Sequence, residues 1–476
     1  MRSTLVAAAA LVSGVVAKKN CCSKTIKKDV AVIGGGASGS HAAVWLRDHG
    51  RTNVVIEKAE QLGGHTSFYK DPVSGMDINV GVQGWMEYEN GYNFPHRMGI
   101  PTTGSMSFTP NQNYFIDFAS GEPVEGYQAP ASDAMVAALQ KYLEVLYKYE
   151  DYLLPGFENF PEPDAIPEDL TMPFGDFVVK YGIEAGVPQI WDATAQGLGN
   201  TMEVATMFVM QASGVPMIEA FLGTAQSALP PSGRLYDLYE AVADFLGEDV
   251  LYNSTVVKAT REEGKPISLQ VQDHGDGSIT CVEAKRLLIA IQPTMGAMKA
   301  FDLDQQENDV FDKIGYSTVY AGVLRHPSLK PLNAYSHRLP GPASLNYTDF
   351  PEAAQVGRMD YLGGTEDLYQ FTAVGTDQDT PESMKALIAE SIDTMMAAGT
   401  IPESDGEVTF EAFANHGLMH PRVSAEELYD GFIQKQVALQ GHRDTWYTGA
   451  AFSAGFSTVV WEYNEKVLPD LVRGSY

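Results

Sequence analysis

The chain is poor in cysteine. It has three among 476 residues, Cys21, Cys22 and Cys281, too few for a disulfide framework. Neighbouring Cys21 and Cys22 could bridge each other only in a strained ring, and an odd count leaves at least one thiol unpaired or bridged to another chain. Histidine and cysteine do not cluster at the spacing of metal ligands, so we predict no metal site.

Positive charge is also scarce. Lysine and arginine number 32 against 61 acidic residues, which gives a formal net charge of −29. Phosphate backbones and anionic membranes repel such an acidic body, so we exclude nucleic acid and membrane as partners. The composition, 44% hydrophobic and 20% charged, is typical of a globular protein. At about 100–200 residues per domain, the length predicts two or three folding units.

Long apolar runs are missing, but a short one lies at the N-terminus. Arg2 precedes the apolar residues 5–16, and small residues follow where a signal peptidase cuts. The run is shorter than the roughly 20 residues that span a bilayer. We therefore predict residues 1–17 as a signal peptide rather than an attached helix, and the mature protein as secreted. Asn253 and Asn346 then lie in credible glycosylation sequons, making the protein a glycoprotein.

A βαβ unit opens the mature chain. Residues 29–33 and 53–57 are compact β-branched runs that predict two buried strands. Between them, the turn Gly34-x-Gly36-x-x-Gly39 leads into a helical pattern. This order of strand, turn, helix and strand is typical of a nucleotide-binding fold.

Each glycine of the turn has a physical role in binding a dinucleotide. Gly34 allows the tight turn, Gly36 lets the backbone approach a pyrophosphate, and Gly39 permits close packing of helix on strand. The diphosphate would lie at the helix N-terminus, where free N–H groups and the helix dipole favour negative charge. Glu57 ends the second strand, where an acid can bond ribose hydroxyls. A glycine turn that binds nothing is the alternative.

The segment after Glu57 separates FAD from NAD. Gly63-Gly64-His65-Thr66 resembles the FAD-binding segment of flavin-containing amine oxidases, in which an acid is followed by Gly-Gly-Arg-Ser/Thr. Gln61 and His65 stand where that family usually has arginines. Residues 77–85 are similar to the family's next element, an acid followed by glycine and tryptophan beside the flavin.

The C-terminal region carries the same resemblance. Residues 446–450 and 455–458 look like the family's C-terminal flavin segment, although Ala450 and Ala451 lack its acid. A helix that starts there would stabilise negative charge at N1–O2 of reduced flavin. Residues 256–257 resemble the strand that meets the adenine. Within the family, the chain most resembles secreted fungal flavoenzymes of the β-cyclopiazonate dehydrogenase type.

The resemblance implies FAD as the cofactor. It leaves two interpretations of His65, a hydrogen-bonding substitute for arginine or a covalent link to the flavin ring. The predicted FAD contacts are Gly34, Gly36, Ala37, Ser38, Gly39, Glu57, Lys58, Gly63, Gly64, His65, Thr66, Gly81, Val82, Gln83, Val257, Gly449, Gly455, Phe456 and Ser457.

The resemblance also indicates the substrate side of the flavin. In the family, residues that face the flavin lie upstream of the final glycine turn, which here corresponds to residues 415–420. His416 and His420 could act as acid or base on the substrate, because imidazole titrates in the useful range. Two histidines four positions apart could also share one helix face without a catalytic role. Phe456 matches one wall of the family's aromatic cage, the third predicted catalytic position.

These features predict an α/β fold, with a discontinuous Rossmann-like FAD-binding domain and an inserted α+β substrate domain. The FAD-binding parts are expected at 28–100, 231–300 and 431–476, and the substrate parts at 101–230 and 301–430.

The implied activity is that of an FAD-dependent oxidoreductase. It would remove a hydride from a C–H next to nitrogen, or from an activated carbon, of a small-molecule substrate, with electrons passing to O2 or another acceptor. The alternatives are an amino-acid or polyamine oxidase, a secreted flavin-binding protein without turnover, and a dehydrogenase that uses NAD alone.

Overall fold

The computed structural model describes residues 22–106, 109–340, 347–352, 354–363 and 367–473. The predicted signal peptide, Cys21 and the sequon asparagine Asn346 lie outside these residues. The strands in chain order are β1 (Lys24–Ile33), β2 (Asn53–Ile56), β3 (Thr66–Lys70), β4 (Asp77–Gly81), β5 (Trp85–Met86), β6 (Gly104–Ser105), β7 (Gln112–Ile116), β8 (Ser227–Leu229), β9 (Val250–Leu251), β10 (Ser254–Thr260), β11 (Ile267–Asp273), β12 (Ile279–Ile289), β13 (Gly315–Arg325), β14 (Asn333–His337), β15 (Gln355–Tyr361), β16 (Tyr369–Gly375), β17 (Thr409–Arg422) and β18 (Thr445–Tyr447).

The α-helices lie between and after these strands. None of the helices in the described ranges is both long and apolar enough to cross a membrane. In chain order they are α1 (Ala37–Asp48), α2 (Asn93–Arg97), α3 (Ser132–Leu153), α4 (Glu168–Thr171), α5 (Phe174–Tyr181), α6 (Val187–Ala193), α7 (Thr206–Ala212), α8 (Val215–Leu222), α9 (Asp237–Leu246), α10 (Met295–Met298), α11 (Gln305–Phe311), α12 (Pro381–Ala397), α13 (Ala425–Tyr429), α14 (Phe432–Val437) and α15 (Ser457–Arg473).

A seven-stranded sheet carries the glycine turn. Its strands run in the order β10-β11-β12-β1-β2-β9, and β18 pairs with β12 beyond the stretch that β11 covers. Strand β1 is parallel to both neighbours, with Val32 opposite Leu288 on β12 and Val55 on β2. Parallel strands are buried on both faces, which explains why the predicted strands are continuous apolar runs. The first strand was predicted to begin at residue 29, but β1 begins at Lys24, because β12 pairs with β1 along the whole length of β1.

A six-stranded sheet forms the second layer, in the order β17-β13-β16-β15-β14-β7. All its pairs are antiparallel except β14 with β7. Helix α12 packs on this sheet through Met384 and Ile388, in a hydrophobic cluster of its own with Phe371. The helix begins with Pro381 in its first turn and with Thr380 accepting a hydrogen bond from the Ser383 backbone.

Helix α15 joins the far end of the chain to the glycine turn. The buried Asn464 side chain donates to the Ser38 carbonyl at 2.9 Å and accepts from Thr448 Oγ1 at 2.5 Å. Thr448 Oγ1 lies 2.8 Å from Ser38 Oγ, and Trp461 Nε1 donates to the Ala37 carbonyl at 3.1 Å. These bonds fix the start of α1 against the segment that precedes α15.

A disulfide joins Cys22 to Cys281, a pairing that the sequence left open. Cys281 lies on β12, opposite Thr25 of β1. The bridge therefore connects the start of β1 to the neighbouring strand of the same sheet.

A buried ion pair holds β18 on the sheet. Arg261 and Glu307 have fully buried side chains and form two hydrogen bonds, of 2.5 and 2.9 Å. Tyr447 donates its hydroxyl to Glu307 Oε1 at 2.7 Å, and Arg261 Nη1 donates to Thr445 Oγ1 at 3.2 Å. Both partners on β18 lie just before the turn at Gly449, so this network positions the C-terminal segment.

We expect Glu307→Gln to lower the free energy of unfolding by about 3 kcal/mol, because it removes the fully buried counter-charge of Arg261 and leaves only the partly exposed Asp302 as its acidic partner. Urea denaturation measures the change. Glu262→Gln is the matched control, since Glu262 forms an exposed pair with Lys265 and its loss should cost no more than about 1 kcal/mol. Equal effects of the two substitutions would contradict this role of the buried pair.

Candidate functional site

The glycine turn has the geometry that the sequence predicted. Gly34 has a φ of 97°, which favours glycine. A Cβ on Gly39 would lie 1.9 Å from the Gly34 carbonyl oxygen, so only glycine lets α1 approach β1 this closely.

The N-terminus of α1 is open to an anion. Gly36 is the N-cap residue, and neither a side-chain cap nor an acid occupies the first turn. The backbone N–H groups of Ala37, Ser38 and Gly39 therefore belong to a helix start whose dipole favours negative charge. This arrangement fits a pyrophosphate.

The Glu57 carboxylate is buried at the end of β2. Its Oε2 accepts from the Gly35 backbone at 2.6 Å, and its Oε1 accepts from the Ala59 backbone at 2.8 Å. Each carboxylate oxygen retains a second lone pair, so the group can still accept a ribose hydroxyl. Lys58 follows it at an exposed position.

The Gly63–Gly64 element packs directly on the glycine turn. Gly63 N donates to the Gly35 carbonyl at 2.9 Å, and a Cβ on Gly64 would lie 2.9 Å from Gly36 Cα. Thr66 is buried at the start of β3. The two glycine segments thus form one backbone surface at the predicted diphosphate position.

Gly81 connects this surface to the histidines. It ends β4 with a φ of 101°, and a Cβ there would lie 2.3 Å from the His65 carbonyl and 2.7 Å from the His416 ring. Val82 N donates to the His65 carbonyl at 3.4 Å, and Gln83 Nε2 donates to the Gly81 carbonyl at 3.1 Å. The predicted contacts at residues 65 and 81–83 therefore lie together.

The histidine pair lies on a strand, so the alternative in which His416 and His420 share a helix face does not apply. Both belong to β17, which pairs with β13. Positions four apart lie on one face in a regular strand as well as in a helix, so the spacing does not distinguish the two. The His65 and His416 ring centroids are 5.3 Å apart. The His420 ring packs on Gly197, where a Cβ would lie 2.1 Å from His420 Cδ2.

Burial keeps these imidazoles neutral. It lowers the pKa of His65 and of His420 to about 4 and the pKa of His416 to about 3. Positive neighbours lower them further, Lys58 for His65 and Arg422 for His420. The Nε2 atom of His416 is buried and has no hydrogen-bond partner among the residues that the structure describes. Across the described ranges, no His, Cys, Asp or Glu cluster is arranged to hold a metal ion.

The position of His65 is compatible with both of its predicted roles. Its carbonyl contacts the Gly81 region and its ring faces His416. Covalent attachment to the flavin stays a prediction, and flavin fluorescence that is lost from the protein band on a denaturing gel would contradict it.

The C-terminal glycines present open backbone. Gly449 follows β18 with a φ of 100°, and a Cβ on Gly449 or Gly455 would meet no atom within 4 Å. Phe456 is partly buried, and Ser457 begins α15, whose first turn contains no acid. The hydroxyl of Thr458 is buried without a partner. A second helix N-terminus is thus available to a group with partial negative charge.

Val257 lies at a bulge of β10 and is 41% exposed. The start of β10 is next to Glu57, because Ser254 N donates to the Glu57 carbonyl at 2.9 Å. The predicted contact of Val257 with the adenine stays a prediction.

Sequence reasoning missed Arg422. This residue ends β17, and its guanidinium donates to the His420 carbonyl and to Ser317 Oγ, both at 3.0 Å. Its position two residues after His420 was the available signal. The groups that surround Arg422 come together only when β17 pairs with β13, so the sequence alone does not show them.

Similarity to known sequences identifies the family of the chain. Residues 32–96 match the family model for an NAD(P)-binding Rossmann-like domain. An FAD-dependent oxidoreductase of Colletotrichum higginsianum is 34% identical over 470 residues, which cover 94% of each chain. The chain belongs to this family of FAD-dependent oxidoreductases. Beta-cyclopiazonate dehydrogenase of Aspergillus oryzae is 30% identical over 471 residues, covering 98% of this chain and 96% of that one.

Solved structures show the same fold. A fatty acid isomerase of P. acnes that produces CLA has a TM-score of 0.69 at 19% identity, covering 93% of this chain and 98% of that one. A putrescine oxidase variant has a TM-score of 0.60 at 17% identity, covering 94% and 100%. The amine oxidase-like fold and FAD as cofactor are thereby confirmed. The domain boundaries and the individual contact residues stay predictions.

We expect Gly64→Ala to weaken FAD binding by about tenfold or more, since its Cβ would collide with Gly36 at the diphosphate surface. Flavin content after purification and an FAD titration of the apoprotein measure the effect. Gly50→Ala is the matched control, because Gly50 has a similar positive φ, 71° against 57°, but its Cβ would meet no atom within 4 Å. Loss of flavin in both variants would show that backbone strain, and not the contact, is responsible.

Proposed function

We propose that this FAD-dependent oxidoreductase oxidises a small molecule at a C–H next to nitrogen or at another activated carbon. The substrate C–H bond would break with transfer of a hydride to the cofactor, the neighbouring atom would lose one proton, and a double bond would form between the two atoms. The electrons would then pass to O2 or another acceptor. The observation that supports this proposal is a group of neutral imidazoles: His65 and His416 lie beside Gly81, and His420 is close enough to His65 to interact with it electrostatically.

FAD, when bound, supplies the two-electron acceptor. The chain's own residues position the substrate and move its proton. A neutral His420 has a lone pair that can take the substrate proton, and the unpartnered Nε2 of His416 can hold a further hydrogen bond. Phe456, at the start of α15, is the proposed apolar wall.

Local charge bears on the alternatives. The charged groups that act on His65 and His420 are the cations Lys58 and Arg422, which disfavour a polyamine substrate. A relative that is 30% identical is named a dehydrogenase, which supports removal of hydride. Membership of an oxidoreductase family disfavours a flavin-binding protein without turnover.

We also propose that the protein is exported after cleavage at residue 17. The Cys22–Cys281 disulfide supports this location, because such bonds persist in oxidising compartments. Asn253, one of the two sequon asparagines, is exposed and thus accessible to glycosylation. Mass spectrometry of the exported protein should find Lys18 at its N-terminus, and a chain that still carries residues 1–17 would contradict the cleavage.

The proposed chemistry is tested by anaerobic mixing of the yellow holoenzyme with cyclic amines, amino acids, polyamines and β-dicarbonyl compounds. We expect a compound that bleaches the flavin band, followed by recovery of the band when O2 or another acceptor is added. With that compound, His420→Gln should slow bleaching by about 100-fold or more while flavin content stays unchanged.

The pH profile adds a second readout. Because the pKa of His420 is about 4, its lone pair is free above that pH. The bleaching rate should therefore be level between pH 8 and about 5 and should fall as the imidazole becomes protonated near pH 4. His96→Gln, at an exposed histidine, is the control. Unchanged bleaching in His420→Gln would exclude His420 as the base.

A further inference from the structure

Arg422 is a partly buried cation whose known partners are neutral. Its guanidinium donates to the His420 carbonyl and to Ser317 Oγ, both at 3.0 Å. A guanidinium has five N–H donors, more than these two contacts use. In the part of the chain that the structure describes, no carboxylate forms an ion pair with it.

Other buried arginines of the protein are paired with acids. Arg261 forms its ion pair with Glu307, and Arg338 pairs with Asp192 at 2.6 Å. A buried charge is expected to have such a partner, because removal from water is costly. Burial lowers the pKa of Arg422, but an arginine stays protonated under all ordinary conditions. The guanidinium therefore stays positively charged, and no described carboxylate neutralises it.

The surroundings of Arg422 are consistent with an anion from outside the chain. The positive charge of Arg422 lowers the pKa of His420, and the positive charge of Lys58 lowers the pKa of His65, so both histidines lie near a cation. This local field contrasts with the net charge of −29 for the whole chain. A site of opposite sign to the rest of the surface concentrates ligands of negative charge.

Two glycines lie against the His420 ring and the Arg422 guanidinium. Gly197 accommodates the His420 ring, and a Cβ on Gly199 would lie 3.6 Å from Arg422 Nη2. Gly199 has a φ of 72°, so a larger residue is disfavoured there by the backbone as well. The backbone on this side thus brings no side chain up to the guanidinium.

We propose that Arg422 binds a carboxylate of the substrate and so selects acidic substrates. The inference rests on the proposed function, because it places the substrate next to His420. The planar fork of the guanidinium suits two oxygens that share one negative charge. Arg422 is thus a specificity-determining residue, separate from the group that takes the substrate proton.

Ligand binding to the holoenzyme tests this assignment without turnover. Isothermal titration calorimetry would compare phenylacetate with phenylacetamide, and hexanoate with hexanamide, which differ in charge but little in shape. We expect the wild-type enzyme to prefer each acid. Arg422→Gln should weaken acid binding by about tenfold or more and leave amide binding unchanged, and Arg422→Lys should give an intermediate loss. Arg473→Gln, at an exposed arginine, is the control for overall charge.

The outcomes separate this proposal from the proposed function. Equal binding of acid and amide by the wild type, or binding of neither, overturns the assignment of Arg422 even if the flavin is reduced by substrates. An acid preference that depends on Arg422 supports it even if no tested compound bleaches the flavin. If Arg422→Gln weakens acids and amides alike or lowers flavin content, Arg422 belongs to the framework or to the FAD site, and the proposal is wrong. Thermal unfolding of each variant confirms that it is folded.

Discussion

The side-chain amide of Asn464 connects the two ends of the FAD-binding region. It bonds the Ser38 carbonyl at the start of α1 and the Thr448 hydroxyl just before Gly449. A buried amide that is satisfied on both sides fixes the geometry of its partners, because any displacement leaves a polar group unpaired. The helix N-termini of α1 and α15 are therefore held at a set distance, and the predicted diphosphate and flavin contacts depend on that distance.

Electrostatics in this protein differ between surface and site. The chain as a whole is strongly acidic, yet the charges that act on His65 and His420 are Lys58 and Arg422. Burial removes the charge from the histidines themselves and leaves the guanidinium as the fixed cation. The two proposals thus place proton transfer and anion binding on different side chains, so that pH would alter the first and leave the second constant.

Local sequence signals predicted the elements that depend on local interactions. The strand, glycine turn and helix at residues 29–48 follow from β-branched runs and from a backbone that only glycine can adopt. The strand character of residues 415–420 was missed because a spacing of four fits both a helix face and a strand face.

Features that depend on distant pairing were beyond such signals. The Cys22–Cys281 bond requires the register of β1 against β12, which no local pattern encodes. The role proposed for Arg422 depends on its having no acidic partner among the described residues, which only the three-dimensional structure reveals. Family resemblance predicted FAD and the order of the flavin segments. It indicated no role for Arg422, which lies two residues after His420.

The seven-stranded sheet also has a consequence for how the enzyme is made. Its strands come from three separated stretches, β1–β2, β9–β12 and β18, and α15 packs on α1 only after all of them. On the ribosome, the early βαβ unit has β1 without β12 and α1 without α15, so apolar surface and one strand edge stay uncovered during translation. If FAD binds at the predicted contacts, a nascent chain that ends before residue 457 lacks one of the two helix N-termini that would hold the cofactor.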